Sequence, residues 1–427
     1  MQHPGQRIEH ADIADSINRR CVYAILIFVF IAGHAGGLGI APLAAMIGCV
    51  GMFSLDYRLA KGRLTRIIKT PWVAALAVFM AWAWLTALWS PHDSKGVPNA
   101  FKLTLGLIFF EAGRRAIKRA ATPARVAPQA PLQSLMIYLP LVAALILCLD
   151  LLSGFNLTFA VDPPSAGEDL ERKRGDAVMN TANGIVLLTL MAPTSFIIML
   201  WTRYRGPIFA VLLLALITAC AVINGLNVAL IALMFSILAM MLAAFYPKLT
   251  LRVITALAVS LISFAPLIAA AAAVTSPSFR AALPFSWEHR LVTWSHIGER
   301  IGEHPFIGHG FDASRTFDAT FDARGFTDLS VVSLHPHNAG LQIWVETGLI
   351  GAILASIVVY QLGKEAVNFS NGGRARAMAA AGLSASVLVV LCVSYGVWQH
   401  WLWAMLFMCA GALMLVPRTR RGAGSAT

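Results

Sequence analysis

The sequence predicts an all-α fold: a polytopic membrane helix bundle of about 12 transmembrane helices with one long, partly helical loop outside the bilayer. Three observations carry this. Of 427 residues, 58% are hydrophobic and 13% charged, against about a quarter charged in a soluble domain. The mean hydropathy is +0.71. The apolar residues fall in runs close to the ~20 residues that a helix needs to cross a ~30 Å hydrocarbon core. Those runs are apolar on every face, which excludes the alternating pattern of a membrane barrel.

Taken in order, the spans cover residues 21–34, 37–55, 71–89, 100–112, 132–152, 183–201, 207–223, 226–246, 253–274, 339–362, 377–398 and 401–416. The first is short. Lys102 and Glu111 interrupt the fourth, which leaves a re-entrant or surface helix open there. With both termini cytoplasmic, 23 of the 33 Lys and Arg residues lie in inside segments, 9 in outside segments and Lys102 in a span. This is the charge bias of an inner-membrane protein, and it accounts for the net charge of +12 without nucleic acid. The run after the polar segment Met1 to Arg20 lacks a small-residue cleavage site, so it reads as a retained first span. The chain divides into residues 1–274 with spans one to nine, a periplasmic loop 275–338, and 339–427 with the last three spans and a cytoplasmic tail. Its six cysteines lie in or beside apolar runs without a CxxC pair, so neither a disulfide framework nor a zinc site is indicated.

Two outside segments are basic against the rule: 153–182, with Arg172, Lys173 and Arg174, and 275–338, with Arg290 among others. Loops of this length are uncommon unless functional or disordered. In the second, Trp287, Leu291, Trp294, Ile297 and Ile301 follow a helical stripe, Pro305 ends it, and Gly308 and Gly310 mark a turn. Its two Trp suit a helix lying in the outer membrane interface.

The candidate chemistry centres on His335-Pro336-His337-Asn338. Asn338 is a good N-cap and histidines at an interface need no function. Here, however, they stand at the mouth of a span that also carries Gln342 and Glu346, so that Asn338, Gln342 and Glu346 recur every four residues on one face. Polar residues inside a membrane helix are functional candidates, and neutral imidazole accepts a proton near pH 7. General-base work is assigned to His335 or His337. Arg174 and Arg290 are candidate phosphate ligands, because guanidinium forks bind phosphate oxygens and a diphosphate leaving group develops charge. Lys173 reads as a solvated charge. There is no DxD, Walker A or Rossmann pattern, and Asp312, Asp318, Asp322 and Asp328 lack compact ligand spacing. No metal and no cofactor are expected.

Four motifs in order then resemble the O-antigen ligase family, within the wider ligase and polymerase group. They are Arg290 with Trp294, His304-Pro305 with Gly308 and Gly310, His337-Asn338 with Leu341-Gln342, and Glu346 with Gly348 and Gly351. Arg174-Gly175 with Asn180 and Asn183 is a weaker upstream match. One departure stands out: many members carry Ser-Arg-Gly between two middle spans, where this chain has Ile223-Asn224-Gly225; Arg172 or Arg174 is the candidate replacement. The resemblance implies transfer of a preassembled glycan from undecaprenyl diphosphate to the lipid A core at the periplasmic face, metal-independent and inverting. It implies His337 and Arg290 as catalytic residues, with Arg172, Arg174, His335, Asn338, Gln342 and Glu346 at the substrates. Alternatives are an O-antigen polymerase, which takes a lipid-linked glycan as acceptor, an oligosaccharyltransferase acting on protein, and a lipid-linked glycan transporter. Oligomeric state is not legible.

Overall fold

The computed structural model describes residues 18–28, 30, 39–53, 70–92, 95–120, 130–165, 167–203 and 205–418. Residues 1–17 of the expected N-terminal segment, the basic stretch from Arg58 to Lys69, Arg125 and the tail after Arg418 lie outside them. The protein is an all-α bundle. Helix α1 covers 18–28, and α2 (Ile40–Phe53), α3 (Pro71–Thr86), α4 (Gly96–Ala120) and α5 (Ala130–Leu152) follow. Then come α6 (Asn156–Val161), α7 (Leu170–Thr202), α8 (Gly206–Asn224), α9 (Asn227–Phe245), α10 (Pro247–Ser263) and α11 (Ala265–Ala273). Among the described residues six helices are long and apolar enough to cross a membrane, or seven if α10 and α11 form one span. Three more apolar helices are shorter: Ile40–Met52, Pro71–Thr86 and His400–Leu415. Side chains such as Val211 (67% exposed), Met234 (57%) and Leu267 (65%) face outwards, as a lipid-facing surface requires and a water-facing one does not tolerate in such number. The chain is a multi-pass membrane protein.

The centre is α7, whose apolar window is 89% buried. It is 33 residues long, roughly 50 Å, and so starts well before the expected span. The predicted loop 153–182 is therefore partly helical: α6 is capped by Asp150, whose carboxylate accepts from Leu157 N at 2.8 Å and Thr158 Oγ1 at 2.6 Å. Arg172, Lys173 and Arg174 ride on the first turns of α7, and Lys173 pairs with Asp162 at 2.8 Å. Where the interrupted fourth span was expected there is a 25-residue helix, which is not among the described helices apolar enough to cross a membrane. Its Glu111 is held by Arg114 at 2.7 Å and Arg115 at 2.5 Å.

The ninth span is not continuous. α10 and α11 bend by 61°, because Pro266 has no N–H to offer the Ile262 carbonyl. The indole of Trp344 donates to that oxygen instead, at 2.8 Å.

The long loop is built rather than loose. It contains α12 (Pro277–Ala282), α13 (Phe285–Glu303) and an antiparallel hairpin, β1 (Thr320–Ala323) with β2 (Phe326–Ser330), pairing Thr320 with Ser330 and Phe321 with Leu329. The hairpin turns on Arg324 and Gly325, both at positive φ, as a two-residue turn demands. Arg324 ties it to Glu288 of α13 at 2.8 Å. The C-terminal half of the apolar stripe of α13, which the sequence suggested for the membrane interface, packs inward, with Trp294 against it. Ile297 and Ile301 are buried in a second core with Ala265, Ala269, Val331 and Val345. The bundle closes with α14 (Ala339–Ser370), α15 (Arg374–Val393) and α16 (His400–Ala412). α15 ends at Val393, earlier than the expected 398, so residues 394–399 form a connecting segment at the same end as the long loop.

Candidate active site

The site grows from a break in α14. Gly348 has φ 66° and ψ −167° inside this otherwise regular helix, a conformation open to glycine. The break leaves main-chain groups of α14 without helical partners, and the segment after α13 supplies them. His309 N donates to Val345 O at 2.8 Å and Gly310 N to Glu346 O at 2.9 Å, while Leu349 N donates to Pro305 O at 2.9 Å. The approach is close enough that a Cβ at Gly348 would lie 2.3 Å from the Phe306 carbonyl, and one at Gly308 2.4 Å from that of Glu346. The His-Pro…Gly-x-Gly and Glu-x-Gly motifs are thus two halves of one joint.

This joint directs the Glu346 side chain into the protein, fully buried. Its carboxylate accepts from Asp312 N at 2.8 Å, Ser314 Oγ at 2.5 Å, Gln342 Nε2 at 3.2 Å and the Trp398 indole. Gln342 in turn accepts from Val397 N at 2.8 Å. Asn338 caps α14 by accepting from Leu341 N at 3.1 Å. The polar face expected from the four-residue spacing exists, but it is turned inward. It fastens residues 394–399 and the 312–314 turn to α14.

Above it stand the two histidines, ring centroids 4.4 Å apart. His335 is buried. Its Nδ1 accepts from His337 N at 3.2 Å, so in the neutral ring Nε2 carries the proton; the Gln399 amide nitrogen lies 3.3 Å from it, and turning that amide over brings its otherwise unpartnered oxygen there to accept. Both nitrogens are engaged within the protein. A Cβ at Gly396 would lie 2.8 Å from this ring. His337 is different. It adopts φ 55°, a strained choice for a non-glycine residue. Its Nδ1 lies 2.5 Å from Ser394 O; a carbonyl only accepts, so Nδ1 carries the proton and neutral Nε2 presents a lone pair. Burial, with Arg290 nearby, pushes His337 down to about 4, against the smaller opposing effect of its bond to Ser394. Burial and the charge of His337 push His335 down to about 3. Both rings are neutral at pH 7.

Arg290 donates from Nε to Val393 O at 3.0 Å and from Nη1 to Ser286 O at 2.6 Å, with its guanidinium 5.3 Å from the Trp287 ring centroid. Its pKa is lowered by burial. Arg290 and His337 are thus moored to consecutive carbonyls, Val393 and Ser394, at the end of α15, where helix carbonyls lack helical partners. Trp294 steadies the same loop by donating to Pro336 O at 2.9 Å.

Arg172 and Arg174 are both exposed on α7. At 100° per residue Arg172 shares the face of Asn183, roughly 16 Å along the helix, and Arg174 points the opposite way. Asn183 itself accepts from the Tyr395 hydroxyl at 3.1 Å, beside the Ser394 anchor. Sequence reasoning missed Arg315. It follows the Gly308–Gly310 turn, is held by Asp312 at 2.8 Å, and lies within Coulombic reach of His335. It also missed the connecting segment 394–399, of which 394–398 were counted as part of a span; Gln399 beside His400, between two apolar runs, was the available signal.

Comparisons with known proteins agree with this region. Residues 177–356 match the family model described as O-antigen ligase. Proteins named as polysaccharide ligases are 32% identical over 131 residues in Rickettsia prowazekii, 31% over 129 in Rickettsia conorii and 31% over 131 in Rickettsia typhi. Each match covers 28% of this chain and 31% of the relative, so the shared stretch spans under a third of those proteins.

Proposed function

From the match of residues 177–356 to the O-antigen ligase model, we propose that this chain is a membrane glycosyltransferase. It moves a preassembled glycan from undecaprenyl diphosphate to a hydroxyl of the lipid A core, at the periplasmic face of the bacterial inner membrane. The observation that carries the reading is the mooring of Arg290 and His337 on adjacent carbonyls, which brings a cation and an open imidazole nitrogen to one place.

In this mechanism the acceptor oxygen attacks the anomeric carbon as the bond from that carbon to the diphosphate oxygen breaks. The electron pair leaves with undecaprenyl diphosphate, and Arg290 and Arg315 offset the charge that develops on it. Arg172, on the face of α7 shared with Asn183, guides the incoming phosphates. The acceptor proton passes to Nε2 of His337. A base held near pKa 4 does not ionise a sugar hydroxyl beforehand. It takes the proton once C–O bond formation has made that oxygen acidic, which suits an oxocarbenium-like transition state. His335 is a positioning residue that fixes the His337 main chain. Asn338, Gln342 and Glu346 hold the scaffold rather than the sugar. Because both substrates are anchored in the bilayer, the protein gains orientation before either meets the reacting atoms.

The test is transfer by purified protein from lipid-linked glycan to rough lipopolysaccharide. Glycan appearing on the lipopolysaccharide supports the ligase. Growth of the glycan on its lipid carrier selects the polymerase instead, and neither product, with movement of the donor across a vesicle, selects a transporter.

A further inference from the structure

A cleft of about 2590 Å³ begins beside the active site, at Asn338 and Gly340, and runs to the opposite end of α14. From its break at Gly348 that helix continues to Ser370, roughly 33 Å of length, enough to take the far end across a ~30 Å hydrocarbon core. One wall is a single face of α15, carrying Ala380, Leu383, Val387 and Leu391 at helical spacing. At the far end the lining changes from apolar to cationic.

Lys248 opens α10, Arg374 and Arg376 open α15, and Arg418 closes the described chain; all four line the cleft. Arg376 is half-buried, donates to Val416 O at 3.2 Å and lies 4.7 Å from the Phe369 ring centroid. Arg418 is close enough to repel it. Arg374 lies 5.7 Å from the ring centroid of Phe245. Among the described residues none of the four forms an ion pair with a carboxylate, and Glu365 is the one acidic residue in the lining. A second observation points the same way. The N-terminus of α15 has Gly373 as its cap, no side-chain cap and no acidic residue in its first turn. Cations there oppose the helix dipole, and the first amide groups are left for an outside acceptor.

An anion is required by the charges, and an apolar body by the wall beside them. Basic pockets between membrane helices are where phospholipid head groups dock. We infer that this end of the cleft binds an anionic phospholipid. Its phosphate meets Lys248, Arg374, Arg376, Arg418 and the uncapped amides of α15, and its acyl chains lie along the face carrying Ala380, Leu383, Val387 and Leu391. The assignment is independent of the reaction carried out at His337.

The experiment titrates purified full-length protein in detergent with phosphatidylglycerol, phosphatidylcholine or inorganic phosphate, counting bound lipid by native mass spectrometry. Selective retention of phosphatidylglycerol is expected, with no effective competition from inorganic phosphate. Arg376→Gln and Arg418→Gln should each weaken retention about five-fold. Ser384→Trp, which fills the wall while keeping every cation, should weaken it too. Arg418→Gln, at an exposed position, keeps the test open if Arg376→Gln does not fold. Equal retention of the two lipids overturns the proposal. So does competition by inorganic phosphate, which indicates a plain anion site, or undiminished retention in Ser384→Trp, which indicates surface attraction alone.

Discussion

Two helices of this protein are broken, and they are repaired differently. Between α10 and α11 the break follows from Pro266, and one indole, that of Trp344, takes up the freed Ile262 carbonyl. In α14 the break is at Gly348, and a segment of main chain answers it, amide for carbonyl, through His309, Gly310 and Pro305. The first repair shapes the bundle. The second also aims a buried carboxylate and so fixes the segment on which His337 and Arg290 are moored. A break closed by one side chain can be perturbed locally; one closed by a loop cannot be changed without moving the site.

Substitutions can break or sharpen that contrast. Gly348→Ala should do the most damage, since its Cβ would sit 2.3 Å from the Phe306 carbonyl and the left-handed conformation costs a non-glycine residue about 1–3 kcal/mol. Displacing the loop by about 1 Å is enough for a ~100-fold loss of transfer, alongside a lower unfolding temperature. Glu346→Gln comes next. It replaces an acceptor oxygen with a donor facing groups that already donate, at about 2–3 kcal/mol, and is read by thermal unfolding beside a smaller fall in transfer. Trp344→Phe leaves one carbonyl unmet, about 1 kcal/mol, with transfer within a few-fold of wild type. Pro266→Ala, which returns an N–H to Ile262, should change stability by about 1 kcal/mol or less. If Trp344→Phe abolished transfer as thoroughly as Gly348→Ala, the distinction between the two breaks would collapse.

Acid offers a further handle, small at neutral pH. His335 and His337 have folded pKa values near 3 and 4, below the ordinary ~6.5 of the unfolded chain. The unfolded state therefore binds more protons between these values, and stability is complete above about 6.5 and lost as pH falls towards 4. Thermal unfolding measured across pH 4 to 7 checks this, and His335→Gln should flatten the slope.

Much of the bundle was legible because lipid imposes long apolar runs and the cations mark one side. The stretch around His337 was legible because polar groups crowd a span's mouth there. What escaped detection depended on partners distant in sequence. The stripe of α13 has the periodicity of a surface helix, and only its contact with Ala265, Ala269 and Val345 reveals a core. Asn338, Gln342 and Glu346 share a face as their spacing required, but spacing does not say whether a face looks at substrate or at Val397 and Ser314. Arg315 looked like any loop cation until the turn after Gly310 brought it towards His335.

The central claim is that one imidazole nitrogen, left open when Ser394 holds its neighbour, receives the acceptor's proton. The most direct measurement is single-turnover transfer from pH 4 to 8 by wild type and His337→Ala, with donor retention measured in parallel. Wild type should hold its rate down to the neighbourhood of pH 4 and then fall as His337 protonates. His337→Ala should retain donor yet transfer at least ~100-fold more slowly. Transfer at the wild-type rate by His337→Ala would contradict the account.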